Sequence, residues 1–169
     1  GIVPQKAVLF KGTIRHNMQW RDKNATDEDI WNALDIAQAK DFVEKKPDKL
    51  DEMILQEGKN LSGGQRQRLT IARALVGDPE ILILDDSASA LDLATDARLR
   101  KAIHEKTSGM TVFIVSQRIS SIKSADKIIV LDDGKIAGIG THSELYKGCE
   151  VYKEICLSQL SEKEAQANG

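Results

Sequence analysis

Leu61-Ser62-Gly63-Gly64-Gln65-Arg66-Gln67-Arg68, followed by Ile81-Leu82-Ile83-Leu84-Asp85-Asp86, is the stretch on which the reading of this chain turns. Ser62 and Gln65 stand at the S-x-x-Q spacing of a capping box, in which a hydroxyl and an amide satisfy first-turn backbone donors reciprocally. Gly63 and Gly64 let a ligand come close to the backbone, and the N–H groups and positive dipole of a helix start suit an anion. The helix then carries Leu69, Ile71, Ala72, Leu75 and Val76 as its apolar positions and is predicted to stop around Gly77-Asp78-Pro79. An apolar run ending in two carboxylates predicts a buried strand whose end can hold a hydrated metal. An anion site and a metal site together point to nucleotide chemistry.

Before this stretch, Gly1 to Thr13 reads as a strand end and a loop, and Thr26-Asp27-Glu28-Asp29 caps a helix bearing Ile30, Ala33, Leu34 and Ala37. The chain is expected to stay mostly helical to about Gly77. Thereafter it alternates: a strand over 81–85, a helix near 95–107, a strand over 111–115, a short helix near 119–124 and a strand over 127–131. Val112-Phe113-Ile114-Val115 suits a strand covered on both faces, which favours a parallel sheet. Asp132-Asp133-Gly134-Lys135 is a hairpin turn and predicts an antiparallel addition to that sheet. A helix is expected over about 142–159, and Ser161 to Gly169 reads as a polar, fraying tail.

At 169 residues, 41% hydrophobic and 30% charged, the chain has the composition of one globular domain or part of one. A formal net charge of −2 gives no electrostatic case for nucleic acid as the main partner. No apolar run approaches the roughly 18 residues that span a bilayer, so the chain is expected to be soluble by itself. Cys149 and Cys156 lie seven apart with no histidine at a metal-ligand spacing, which makes them filler or surface residues and fits a reducing compartment. His16, His104 and His142 read as surface or capping residues.

The string from Leu61 to Arg68, the strand Ile81 to Asp86 and Ser89-Ala90-Leu91-Asp92 together resemble the nucleotide-binding domain of ATP-binding cassette (ABC) proteins. The likeness extends from Val3-Pro4-Gln5 and Leu9-Phe10-Lys11-Gly12-Thr13-Ile14 to Gly140-Thr141-His142-Ser143-Glu144-Leu145, with flanking text most like the exporter branch. It implies an α/β, P-loop-NTPase-like fold, here incomplete: a helical signature subdomain over about 14–78, a portion of the RecA-like core over about 79–145, and a C-terminal helix and tail over about 146–169. No G-x-x-x-x-G-K-[ST] phosphate loop occurs, so the resemblance implies the C-terminal two-thirds of such a domain, with apolar sheet edges exposed, marginal stability and poor ATP binding alone.

The resemblance also implies site roles. Gln5 would coordinate Mg2+ or the attacking water through its amide oxygen and link the site to membrane domains, and Asp85 would hold Mg2+ through water. Ser62, Gly63 and Gly64, with Gln65 in the same turn, would contact ATP bound on the opposite subunit of a head-to-tail dimer. Asp92 would couple the two sites, or cap the helix beginning near Thr95.

Two positions depart from the family pattern. Asp86 stands where the family usually has a glutamate, one methylene longer, and a 1 Å displacement of a water-orienting base costs on the order of 100-fold. Gln117, in Ser116-Gln117-Arg118, stands where the family usually has a histidine, and it can donate a hydrogen bond without carrying charge. With the signature string intact, the pattern resembles one half of a heterodimeric exporter. That implies a non-identical second nucleotide-binding domain, transmembrane domains on the same full-length chain, and the cytoplasmic face of the membrane. The alternatives are a nucleotide-gated ABC protein of translation or DNA maintenance, and an importer ATPase.

Overall fold

The computed structural model describes residues 1–87, 89–107 and 109–167, with the backbone alone over 160–167. They divide into two compact units, Gly1–Val115 and Ser116–Gly169, each with its own hydrophobic core.

The first unit is built on a three-stranded parallel sheet in the order β1 (Ile2–Val3), β4 (Ile81–Asp85), β5 (Thr111–Val115). Its register pairs Val3 with Leu84, Leu84 with Ile114 and Asp85 with Val115. The expected strands and their parallel pairing are therefore present, but the expectation that 112–115 is covered on both faces is not met. Alternation turns Val112 and Ile114 onto the core, while Phe113 and Val115 on the opposite face are 54% and 56% exposed. Ile2 and Ile81 share that face and are likewise exposed.

Against the covered face pack α1 (Ile14–Met18), α2 (Asp27–Ile36), α3 (Lys40–Glu44), α4 (Gly63–Leu75) and α5 (Leu93–Lys106), whose apolar residues join Val3, Leu82 and Leu84 in one core. The stretch expected to be helical to Gly77 also contains a short antiparallel pair, β2 (Gly12–Thr13) on β3 (Met53–Ile54). Asn17 fixes the loop before β2 from inside the core: fully buried, it accepts from Phe10 N at 2.8 Å and donates to Phe10 O and Thr13 O. That arrangement satisfies three backbone groups that burial would otherwise orphan. The α4 helix ends where its sequence says, with Val76 as C-cap and positive φ at Gly77 and Asp78.

The second unit holds α6 (Ile119–Ile122), β6 (Ile128–Asp132), β7 (Lys135–Gly140), α7 (His142–Gly148) and α8 (Glu150–Ala167). Asp133 and Gly134 both have positive φ, the primed turn the Asp-Gly pair predicts. The hairpin, however, is a two-stranded sheet of its own and not an addition to the parallel sheet. Its buried side chains, Ile128 and Val130, find their core locally, against Leu145, Cys149, Tyr152 and Cys156. Its other face leaves Ile129, Leu131, Ile136 and Ile139 exposed.

The single helix expected over 142–159 is two, because Cys149 is extended (φ −125°) and turns inward beneath Gly138. The tail expected to fray from Ser161 is helical to Ala167, in keeping with its Glu, Lys, Ala and Gln content; Asn168 and Gly169 lie outside the described residues. Both cysteines are buried, free core filler. Among the described residues no helix is long and apolar enough to cross a membrane.

Candidate functional site

At the start of α4, Ser62 is an extended N-cap whose Oγ accepts from Gln65 N at 3.2 Å, while Gln65 Oε1 accepts from Ser62 N at 3.0 Å. The capping box is formed as its spacing predicts. It uses a lone pair of the hydroxyl and leaves the O–H proton available to a ligand oxygen.

Gly63 and Gly64 are helical, with no positive φ to accommodate. A Cβ on Gly63 would meet nothing nearer than Arg66 Nη2 at 3.9 Å, and one on Gly64 would touch Ala90 O at 3.5 Å, an ordinary contact. Each glycine inside a helix costs roughly 0.5–1 kcal/mol relative to alanine. Neither backbone conformation nor crowding within this chain calls for two of them here. Backbone N–H groups at a positive helix end, open to close approach, are the chemistry of anion binding.

The basic residues of the string serve the scaffold. Arg66 donates to Leu61 O at 2.8 Å and Gly58 O at 3.3 Å. Arg68 donates to Gln38 O at 2.6 Å and lies over the Phe42 ring. Arg73, a turn further on, donates to Val8 O. The loop preceding the helix is held by Asn60, which accepts from Leu55 N and donates to Met53 O. None of these anchors was singled out by the sequence: Arg68 and Arg73 reach carbonyls 30 and 65 positions away, while Arg66 and Asn60 tie together the local turns before the helix.

The second group of residues forms where β1 and β4 end side by side. Parallel register places Val3 beside Leu84, so two residues further on Gln5 comes beside Asp86, and Gln5 Nε2 donates to Asp86 Oδ2 at 3.3 Å. Asp86 has positive φ (42°), and its backbone is pinned on both sides: its N–H donates to Val115 O, and its carbonyl accepts from the N–H and hydroxyl of Ser89. Asp85 is exposed at the strand end.

Among the described residues no cluster of three or more His, Cys, Asp or Glu gathers as a metal cage. The side-chain contact of Gln5 is with Asp86; carboxylates and an amide oxygen are the donor types Mg2+ takes, with water and phosphate oxygens in its other positions.

At the α4 helix start Ala90 O and Leu91 lie against Gly64. Asp92 is the N-cap of α5, accepting from Thr95 N at 2.9 Å and Thr95 Oγ1 at 2.7 Å, and these bonds hold its carboxyl below the usual carboxylate range. The structure thus brings Gln5 to Asp86 and the signature glycines to the loop before Asp92. Gln117 belongs to the second unit, where its side chain is exposed and its carbonyl accepts from Gln159 Nε2, while Gln159 Oε1 accepts from Ile119 N to start α6. Gln159 is a brace the sequence did not reveal, 42 positions from its partner.

Residues 1–89 match the family model described as ABC transporter. The chain belongs to the ABC transporter family. It is similar in fold to part of a solved bacterial Atm1-family ABC exporter with ATP bound, with a TM-score of 0.90 at 36% identity over 94% of this chain and 28% of that one. An ABC transporter ATP-binding protein of Bacillus subtilis, YfiB, is 44% identical over 99% of the chain. A multidrug resistance ABC transporter ATP-binding and permease protein of Lactococcus lactis is 40% identical over 95%. The chain spans only 29% and 28% of the lengths of these two relatives.

Proposed function

We propose that this chain is the ATP-binding and ATP-hydrolysing part of an exporter-type ABC transporter, with residues from about 14 to 78 as its signature subdomain, about 79 to 145 as part of its RecA-like core and about 146 to 169 as its C-terminal helix and tail. The observation that carries the reading is the pair Gly63 and Gly64, open to approach at a capped helix start in a chain of this family. Ser62 O–H and the first-turn N–H groups would hold the γ-phosphate of ATP seated on a second nucleotide-binding domain, which closes the dimer. Likeness to an ATP-binding and permease protein supports transmembrane domains on the same full-length chain, and a working position at the cytoplasmic face of the membrane.

On this chain's own side, Gln5 and Asp85 would hold Mg2+, which when bound neutralises charge on the phosphates. Asp86 is too short to orient attacking water as a glutamate does, and Gln117 senses a phosphate without carrying charge. Turnover therefore falls to the partner's competent site, and the complex is a heterodimer. The test is ATPase activity of the full-length transporter. Asp86→Glu is expected to change turnover less than about 2-fold, whereas a bulky residue at Ser62 or Gly64 abolishes it, a loss of about 100-fold or more. The reverse pattern, or brisk ATP hydrolysis by this subunit paired with itself, overturns the reading.

A further inference from the structure

We infer that Asp86 is a positioning residue that acts through Gln5, turning the amide so that its oxygen faces the metal side of the site; this rests on the proposal above that Gln5 and Asp85 are that side. A carboxylate has no donor, so only the nitrogen of the Gln5 amide can face Asp86, and the contact at 3.3 Å is from Nε2 to Oδ2. With Nε2 committed, Oε1 points the other way, and an amide oxygen is the atom a hard cation or its bound water takes.

The backbone makes Asp86 a fixed reference for this contact. Its N–H is bound to Val115 O and its carbonyl to Ser89 N and Oγ, so the residue cannot follow a moving partner. Its positive φ suits aspartate, which visits the left-handed region far more readily than longer side chains do. Strand register supplies the other half, since Val3 beside Leu84 carries Gln5 to the same level. The residue that is short for a base is the right length for a tether.

The experiment measures Mn2+ affinity of the full-length transporter at saturating ATP, from the EPR signal of free Mn2+. Asp86→Ala should weaken the Mn2+ class belonging to this chain by roughly 5- to 10-fold, about what one ordinary hydrogen bond is worth. Gln5→Leu should do the same, and the double variant no more than either alone. Asp86→Asn keeps an acceptor for Nε2 without the charge and should stay within about 2-fold of the wild type. Additive losses in the double variant, or an Asp86→Asn loss as large as that of Asp86→Ala, overturn the inference, because Asp86 would then act on the metal by itself. Wild-type protein with no ATP-dependent Mn2+ binding at all overturns the nucleotide reading instead, so the two failures are told apart.

Discussion

At the start of α4 two glycines occupy places where a side chain would fit, whereas at the end of β4 an aspartate with positive φ is held in place by the backbone around it. The first arrangement has no folding reason and so points outward, to something that approaches the helix end. The second has a folding reason in full: a left-handed residue pinned by Val115 and Ser89 and tethered to Gln5. The intact signature glycines leave room for a ligand, and the altered residue at the strand end is compatible with its own scaffold.

The strongest way to break this comparison is at Gly64. Gly64→Arg should lower turnover of the full-length transporter by about 100-fold or more, with the melting temperature of the domain falling far less than such a loss of activity would suggest. If activity and stability fall together, the glycine is structural after all. Gly58 is the opposite case, with φ +68° and a Cβ that would press on Arg66 Cδ at 2.7 Å. Gly58→Ala should destabilise the fold by about 2 kcal/mol in denaturant unfolding, since both the strained backbone and the overlap count against it.

A finer test is Gly63→Ala, which should stabilise the helix by roughly 0.5–1 kcal/mol while ATP turnover drops. Opposite signs in the two measurements would sharpen the claim that this glycine serves a ligand. The smallest effect concerns acid. Hydrogen bonds from Thr26, Thr95 and Thr141 hold the carboxyls of Asp29, Asp92 and Glu144 below their ordinary range. Their contribution is therefore complete from about one pH unit above the unfolded carboxyl values, where those carboxyls are ionised, and is lost as pH falls through the lower folded values. Thermal melts between pH 6 and pH 3 should show that loss, and Asp92→Ala should flatten its own share of it.

Much of this was legible because it is local. Three helix starts follow the capping-box spacing, at Thr26 with Asp29, Ser62 with Gln65 and Thr141 with Glu144, and all three boxes form. The strands at 81–85 and 111–115 and the Asp133-Gly134 turn follow equally short rules. What stayed hidden depends on distant pairing. The Gln5 contact with Asp86 crosses 81 positions, and the anchoring of Arg68 to Gln38 crosses 30. The same is true of the open face of β5: an apolar run says that a strand can be covered twice, and only the neighbours decide whether it is. The family string likewise announced its glycines plainly, while nothing in it announced that its arginines are structural ties.

The bare ladder of Ile129, Leu131, Ile136 and Ile139 on the hairpin, with Ile2, Ile81, Phe113 and Val115 on the other sheet, sets how this polypeptide behaves in a tube. Greasy ladders beside unpaired strand edges are seeds for intermolecular stacking, and sulfate or other salting-out anions strengthen that attraction. Concentrated preparations of the 169-residue chain should cloud as ammonium sulfate is added, and a holdase chaperone or mild detergent should keep them clear.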